Sequence, residues 1–321
     1  MMTTPRFKDF VAFMIARHAI YLARKAGKSG PWTTDPVLKN YRFCNIFREL
    51  DTTTIWIDKH IRKPFADHRH LWFMLAIARY VNWPDTLAEL IETERWPSHP
   101  NFEPSWITTG LENRAARGEK VYTGAYLLRA ESNPNAFWYH WTKHRYIGEI
   151  VLGRLWEDRE EWEYELEPAK YGLARVPTLK SIWTKFQQPR YIGWGPFMAY
   201  EVVTDLRHTR YLTDAPDIYL WANAGPGAIR GLNRLYGREL NKRLSSDQAN
   251  NEMIKLMVEL NALDEPSFNE VFGPPDDDDS PRFEMRDVEH TLCEFDKYER
   301  VRLSEGQTRS KYDWRKATQL I

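Results

Sequence analysis

The chain has 321 residues, enough for one large domain or two packed lobes. Lys plus Arg and Asp plus Glu are 45 each, so the net charge is zero, which argues against coating nucleic acid by bulk charge and leaves room only for a local basic face. Apolar residues at 42% imply a sizeable core and exclude global disorder, while the two cysteines, Cys44 and Cys293, exclude a disulfide framework and any multi-cysteine metal site.

In chain order, apolar residues spaced by three and four predict a helix over 7–26, ended by Gly27-Lys28-Ser29-Gly30. A second helix is expected from about Pro36 through Ile61. Two short helices follow over 68–80 and 84–95, divided by Asn82-Trp83-Pro84, and 96–124 is expected to be irregular. Helical patterning returns near 125–130, 135–160 and 178–187. A Gly/Pro-rich turn then precedes an apolar run from Pro196 to Leu206, and Ala224-Gly225-Pro226-Gly227 opens a helix to Tyr236. Residues 246–264 and 283–300 read as helices on either side of an acidic loop at 273–282. Strand patterns are few, so the expected class is all-α.

The longest apolar run near the N-terminus, Phe10 to Ala16, is too short for a signal or a membrane span, and no other run approaches the ~18 residues a span needs. A soluble, cytoplasmic protein without a membrane partner is expected. Gly27-Lys28-Ser29 is not a P-loop, because the glycine required five residues earlier is Leu22. No G-x-S-x-G elbow is present. His140 and His144, one helical turn apart, could pair on a metal, but packing or phosphate contact is the commoner use of such residues. No metal-ligand set is assigned.

The stretch 178–206 reads as helix, tight turn, helix. Gly193 and Gly195 would allow close backbone approach, and the N–H groups at the start of the second helix would favour an anion such as a DNA phosphate. The segment resembles the helix-hairpin-helix of base-excision DNA glycosylases, and the resemblance extends the DNA-binding segment to about 237. The stretch Gly225 to Gly237 matches the family's following helix but holds glycines where a catalytic aspartate would open it. The resemblance therefore implies a two-lobed, DNA-glycosylase-like, base-flipping architecture without glycosylase chemistry.

Four strings carry a more specific resemblance: 35–51, containing Asp35-Pro36-Val37-Leu38 and Tyr41 to Asp51; Gly195 to Glu201; Ala224 to Ala228; and Val288 to Tyr298, with Leu-Cys-Glu-Phe-Asp-Lys-Tyr at its centre. The set is similar to the α-glutamyl/putrescinyl thymine pyrophosphorylase group and to the helical domain of 5-hydroxymethyluracil DNA kinases. Both act in bacteriophage thymine hypermodification. The resemblance implies replacement of pyrophosphate on 5-(pyrophosphoryloxymethyl)uracil in DNA by an amine, either an amino acid such as glycine or a polyamine. The partners implied are DNA carrying a modified thymine and a small amine or amino-acid donor, in the cytoplasm of an infected bacterium. With no P-loop in the chain, the transferase role is favoured over the kinase role.

Such chemistry needs cations or N–H donors at the leaving pyrophosphate and a base to take the amine's proton. Lys297, Arg48, Arg207 and Arg230 are the candidate cations. Glu289, Glu294 and Asp296 are the candidate acids and bases, with His290 beside them. On a helix, Glu289 shares a face with Cys293, and His290 shares one with Glu294 and Lys297. A salt-bridged surface helix would show the same pattern. Asn45, Arg48 and Asp51 are expected at spacings of three on one helix, with Arg48 and Asp51 lining the pocket. Gly193, Gly195, Tyr200, Gly225 and Gly227 complete the substrate- and DNA-binding candidates, and Tyr122 and Tyr126 are assigned to a pocket wall. Cys293 is read as a packing residue rather than a nucleophile. No cofactor is assigned with certainty; Mg²⁺ stays open because it commonly accompanies a pyrophosphate leaving group, although no ligand set for it is evident in the sequence. Two other functions fit the same residues: a DNA glycosylase using Asp205, Asp214 or Asp217, and a non-catalytic DNA-binding adaptor.

Overall fold

The computed structural model describes residues 5–124, 126, 128, 133–275, 281–306 and 311–316. Its helices are α1 (Phe7–Lys25), α2 (Pro36–Asn40), α3 (Thr52–Ile57), α4 (Leu71–Val81), α5 (Pro84–Glu92), α6 (Pro104–Ala116), α7 (Lys143–Arg145) and α8 (Gly153–Glu157). Then come α9 (Arg159–Leu166), α10 (Leu179–Phe186), α11 (Pro196–Leu206), α12 (Pro226–Leu235), α13 (Ser246–Asn261), α14 (Pro266–Phe272) and α15 (Met285–Arg302). Among the described residues the sole β pairing is an isolated antiparallel bridge between Tyr41 and Lys311. The all-α expectation holds. The aspartate run 276–279 lies outside the described residues.

The chain divides into two compact units, one built from 1–52 and 218–321, the other from 53–217. The division falls inside the 178–237 stretch, so its two Gly-Pro helix starts belong to different units.

In the discontinuous unit, α12 packs along α15, and α1 also contacts α15. Phe10 of α1 meets Phe295 edge-on at 5.2 Å, and Phe13 meets Tyr298 at 5.0 Å. Gly27 ends the first helical segment with φ +70, the left-handed geometry of a helix C-terminus rather than of a phosphate loop. Gly231 makes the α12–α15 crossing close: a Cβ there would sit 2.4 Å from the Leu292 carbonyl oxygen. Gly231→Ala should cost about 1–3 kcal/mol through overpacking, despite the better helix propensity of alanine. Gly227→Ala meets the movable Cys293 Sγ instead, at 2.8 Å, and should cost less. Denaturant midpoints of the two variants test the order; equal midpoints would contradict it.

His18 lies in the same unit, stacked on Phe272 at 4.9 Å and edge-on to Phe47 at 5.4 Å. It is 6% exposed, and burial, with Arg17 beside it, pulls its pKa down to about 4. Above pH 6.5 the ring is neutral folded and unfolded, and nothing is lost. As pH falls from 6.5 toward 4, the unfolded chain takes up a proton that the folded chain refuses, so stability drops. His18→Phe should reduce the loss in unfolding free energy between pH 7 and pH 5 by about 2 kcal/mol. Urea titrations at the two pH values read this directly, and an unchanged difference would remove His18 from the account.

In the continuous unit, α4 is buried on every face, the signature of a central core helix. It stops at Asn82, in left-handed geometry at φ 46, followed by Trp83-Pro84. Trp72 of α4 stacks on Trp162 of α9 at 5.2 Å, and Trp162 meets Phe186 of α10 at 4.4 Å.

Three expectations require correction. The helix proposed from Pro36 through Ile61 is broken: α2 ends at Asn40, and 41–47 runs without helix. A 3₁₀ turn covers Arg48–Leu50, and helix resumes only at Thr52. Residues 96–124, expected to be irregular, contain the thirteen-residue α6. The stretch 135–160 is turn until Thr142, and helix then continues from α7 through a π-helical segment, Tyr146–Leu152, into α8.

Candidate active site

The α15 helix carries the densest group of candidate residues, and its register explains which of them meet. Glu289 and Cys293 lie one turn apart, with Cys293 Sγ 3.6 Å from Glu289 Oε1. Arg286, three residues before Glu289, donates to its Oε2 at 2.7 Å. Glu289 Oε1 also faces the N-terminus of α12, where the Gly225 N–H lies 3.5 Å away. The helix start that glycines were expected to open for a DNA phosphate therefore meets a carboxylate of its own chain, and Gly227 abuts Cys293. Glu289 is 5% exposed, and burial raises its pKa although Arg286 and the Gly225 N–H oppose the rise. Burial also raises the Cys293 thiol, with Glu289 adding to it, which disfavours the thiolate that a nucleophilic cysteine needs.

On the adjoining face, Glu294 accepts from Lys297 Nζ at 3.0 Å and from the Cys44 backbone N–H at 2.8 Å. Lys297 Nζ sits 4.7 Å from the centre of the Phe43 ring. Asp296 points elsewhere. It is 1% exposed and accepts from Arg230 Nε at 2.8 Å and Arg234 Nε at 2.9 Å, so it and Arg230 lock α12 to α15. That arrangement gives Asp296 a structural role, tying two arginines of α12 to α15.

Asn45, Arg48 and Asp51 do converge with α15, but not as a helical stripe. Asp51 Oδ1 accepts from the Asn45 backbone N–H at 2.9 Å and from Asn45 Nδ2 at 3.0 Å. Asn45 Oδ1 in turn accepts from Arg17 Nη2 of α1 at 2.8 Å. The loop folds back on itself, which a helix over these residues would forbid. Arg48 acts electrostatically on Asp51, Glu289 and His290, so its charge lies within reach of all three. His290 is 8% exposed, and burial pulls its pKa well below the ordinary value. Burial raises Asp51 and Cys44.

The other candidates lie in the continuous unit. Gly193 has φ +87, and a Cβ there would strike Val151 at 2.8 Å, so this glycine serves packing of the turn. Gly195 caps α11 with no atom within 4 Å of where its Cβ would be, and the neighbouring Phe197 is exposed. Tyr200 is buried in α11, and Arg207 donates to the Thr213 carbonyl at 3.1 Å. Tyr122 hydrogen-bonds His144 Nδ1 at 2.9 Å and stacks on its ring, while Tyr126 donates to Glu201 at 2.9 Å. His140 and His144 share no helix, because α7 starts at Lys143. Of the carboxylates considered for glycosylase chemistry, Asp205 is tied to Arg79, and Asp217 accepts from the Leu179 and Lys180 N–H groups at the start of α10.

A cleft of about 780 Å³ also opens in this unit, lined by residues that include His68, His70, His99 and Trp156. None of the candidate residues lines it. Sequence reasoning missed Arg286, Arg17 and Cys44 as members of the group on α15. The i,i+3 spacing of Arg286 and Glu289 was a usable signal; Arg17 and Cys44 join only through contacts remote in sequence. Among the described residues no helix is long and apolar enough to cross a membrane.

The sequence matches the family described as 5-hmdU DNA kinase, helical domain, over residues 4–308. It is 28% identical over 236 residues to a 5-hmdU DNA kinase of Bacillus phage SP10, an alignment covering 70% of this chain and 35% of that protein. The chain thus spans about a third of the length of the curated relative it matches. No solved structure matches it. With nearly the whole chain covered by the family match, the protein belongs to the family of the 5-hmdU DNA kinase helical domain.

Proposed function

We propose that this protein acts in phage thymine hypermodification as an amine:DNA transferase. In this reading it replaces the pyrophosphate of 5-(pyrophosphoryloxymethyl)uracil with an amino acid or polyamine. The observation that carries the proposal is the buried Glu289, a carboxylate of raised pKa set beside Arg286, within the field of Arg48 and at the N-terminus of α12. A carboxyl group raised by burial is a better proton acceptor for an ammonium nucleophile than an ordinary surface carboxylate.

The amine nitrogen forms a bond to the methylene carbon on C5 of the base, and the carbon–oxygen bond to pyrophosphate breaks. Pyrophosphate leaves with the electron pair of that bond, and the proton lost by the amine goes to Glu289. Arg48, Arg286 and Lys297 offset the charge on the departing oxygens. Glu294 positions Lys297 and the Cys44 backbone. Asp296 and Arg230 hold the helix pair rather than touching substrate. In the other unit, the open α11 start at Gly195, with Phe197 exposed beside it, supports a DNA-backbone contact. The 321 residues carry no P-loop, consistent with a step after phosphorylation rather than the phosphorylation itself.

The test is mass spectrometry of nucleosides after incubation with DNA bearing 5-(pyrophosphoryloxymethyl)uracil and a pool of amino acids and polyamines, with pyrophosphate release followed in parallel. A new amine adduct supports the proposal and names the donor. DNA binding with neither adduct nor pyrophosphate release would replace it with an adaptor role, and loss of the base would replace it with glycosylase chemistry.

A further inference from the structure

Three metal-ligating side chains that the transferase reading does not use meet in the discontinuous unit. Ligand atoms of Cys44, Asp51 and His290 all lie within 4.8 Å of one another. Two come from the loop before α3 and one from α15. His290 Nε2 is buried and has no hydrogen-bond partner, although its ring is only 8% exposed. A polar nitrogen left so keeps its full desolvation cost unless something binds it. The nearest carboxylate oxygen, Asp51 Oδ2, stands 4.0 Å away. That is too far for a hydrogen bond and close to the spacing of two ligands around a common ion. With Zn–N and Zn–O near 2.0–2.2 Å and Zn–S near 2.3 Å, tetrahedral ligand atoms sit about 3.3–3.8 Å apart.

The surroundings orient these donors. Asp51 Oδ1 is occupied by two hydrogen bonds from Asn45, which leaves Oδ2 for the His290 side. Arg17 fixes Asn45, and Glu294 fixes the Cys44 backbone by accepting its N–H. Metal sites are commonly built in this way, with a shell of hydrogen bonds behind the ligands. One thiolate, one imidazole and one carboxylate select zinc over Mg²⁺, which prefers oxygen ligands only.

We propose that Cys44, Asp51 and His290 form a three-ligand zinc site with its fourth position open to water or substrate. The site stands whether or not the protein transfers amines, because it is read by metal content and not by turnover. The full chain, purified from zinc-supplemented culture and dialysed, should hold about one zinc per chain by elemental mass spectrometry. Cys44→Ser and His290→Ala should lose at least ten-fold of that content, Cys293→Ser should keep it, and Asn45→Ala should weaken zinc binding by about 10–100-fold. Because substituting a ligand can unfold the unit, the wild-type protein gives an independent readout. Stripped with chelator and reloaded with Co²⁺, it should show a thiolate-to-cobalt charge-transfer band that added zinc abolishes. Absence of both stoichiometric zinc and the cobalt band would overturn the proposal. So would zinc that persists undiminished in a folded Cys44→Ser, His290→Ala double variant.

Discussion

Glu289→Gln should lower amine transfer by about 10²–10⁴-fold, the range that a positioned general base contributes. Glutamine keeps the shape of the side chain, and its single carbonyl oxygen can still accept from either Arg286 or the Gly225 N–H, so DNA affinity and helix content should stay close to wild type although one of these two donors loses its acceptor. What it cannot do is accept a proton. The wild-type rate should also fall as pH drops through the raised pKa of Glu289, because only the ionised carboxylate serves as base. That acidic limb should vanish from the residual activity of the variant. Pyrophosphate release across a pH series, with nucleoside mass spectrometry as the check on product, measures both effects. A variant within three-fold of wild type, or one retaining the same acidic limb, would remove Glu289 from the mechanism and leave Glu294 as the carboxylate to examine.

The largest stability effect is expected in the other unit, at Asp205. This residue and Arg79 are each 1% exposed, and they form a two-point ion pair in the middle of the core. Arg79 Nη2 donates to Asp205 Oδ1 at 2.7 Å and to Thr54 Oγ1 at 3.1 Å, and Arg79 Nε also meets the carboxylate. Asp205→Ala leaves a guanidinium that has no route to water from the fully buried α4. The expected cost is about 3–5 kcal/mol, far more than an exposed pair of the same geometry is worth. Removing both charges is a different matter. Arg79→Met with Asp205→Ala should recover much of the loss, since an apolar pair requires no desolvation of charge. Urea unfolding monitored by tryptophan fluorescence tests this, with the transition of each unit resolved because a two-unit chain need not unfold in one step. A double variant no better than the single one would mean that the pair organises the core instead of merely neutralising it.

The sequence by itself determined the helices whose signals are local. Gly195-Pro196 and Gly225-Pro226 start α11 and α12 as expected, because proline at the first turn and glycine before it need no distant partner. The register of α15 was equally legible: spacings of three and four put Glu289 with Cys293 and Glu294 with Lys297, and they meet as that spacing requires.

Tertiary structure decided what those faces meet. Asp296 shares a helix with the reactive candidates, yet it turns to Arg230 and Arg234, a choice made by the packing of α12 and not by periodicity. The loop 41–51 is the clearest case. Its apolar spacing suits a helix, but the Cys44 backbone N–H is taken by Glu294, 250 residues away, and that of Asn45 by Asp51. Once side chains satisfy those amides, the i→i−4 ladder loses its advantage and the extended path prevails. The same detour brings Cys44 and Asp51 to His290, so a three-donor cluster arises from positions 44, 51 and 290 that no spacing rule links. Local chemistry set where helices begin and which residues share a face, and the long-range capture of backbone amides decided which of those faces were brought together.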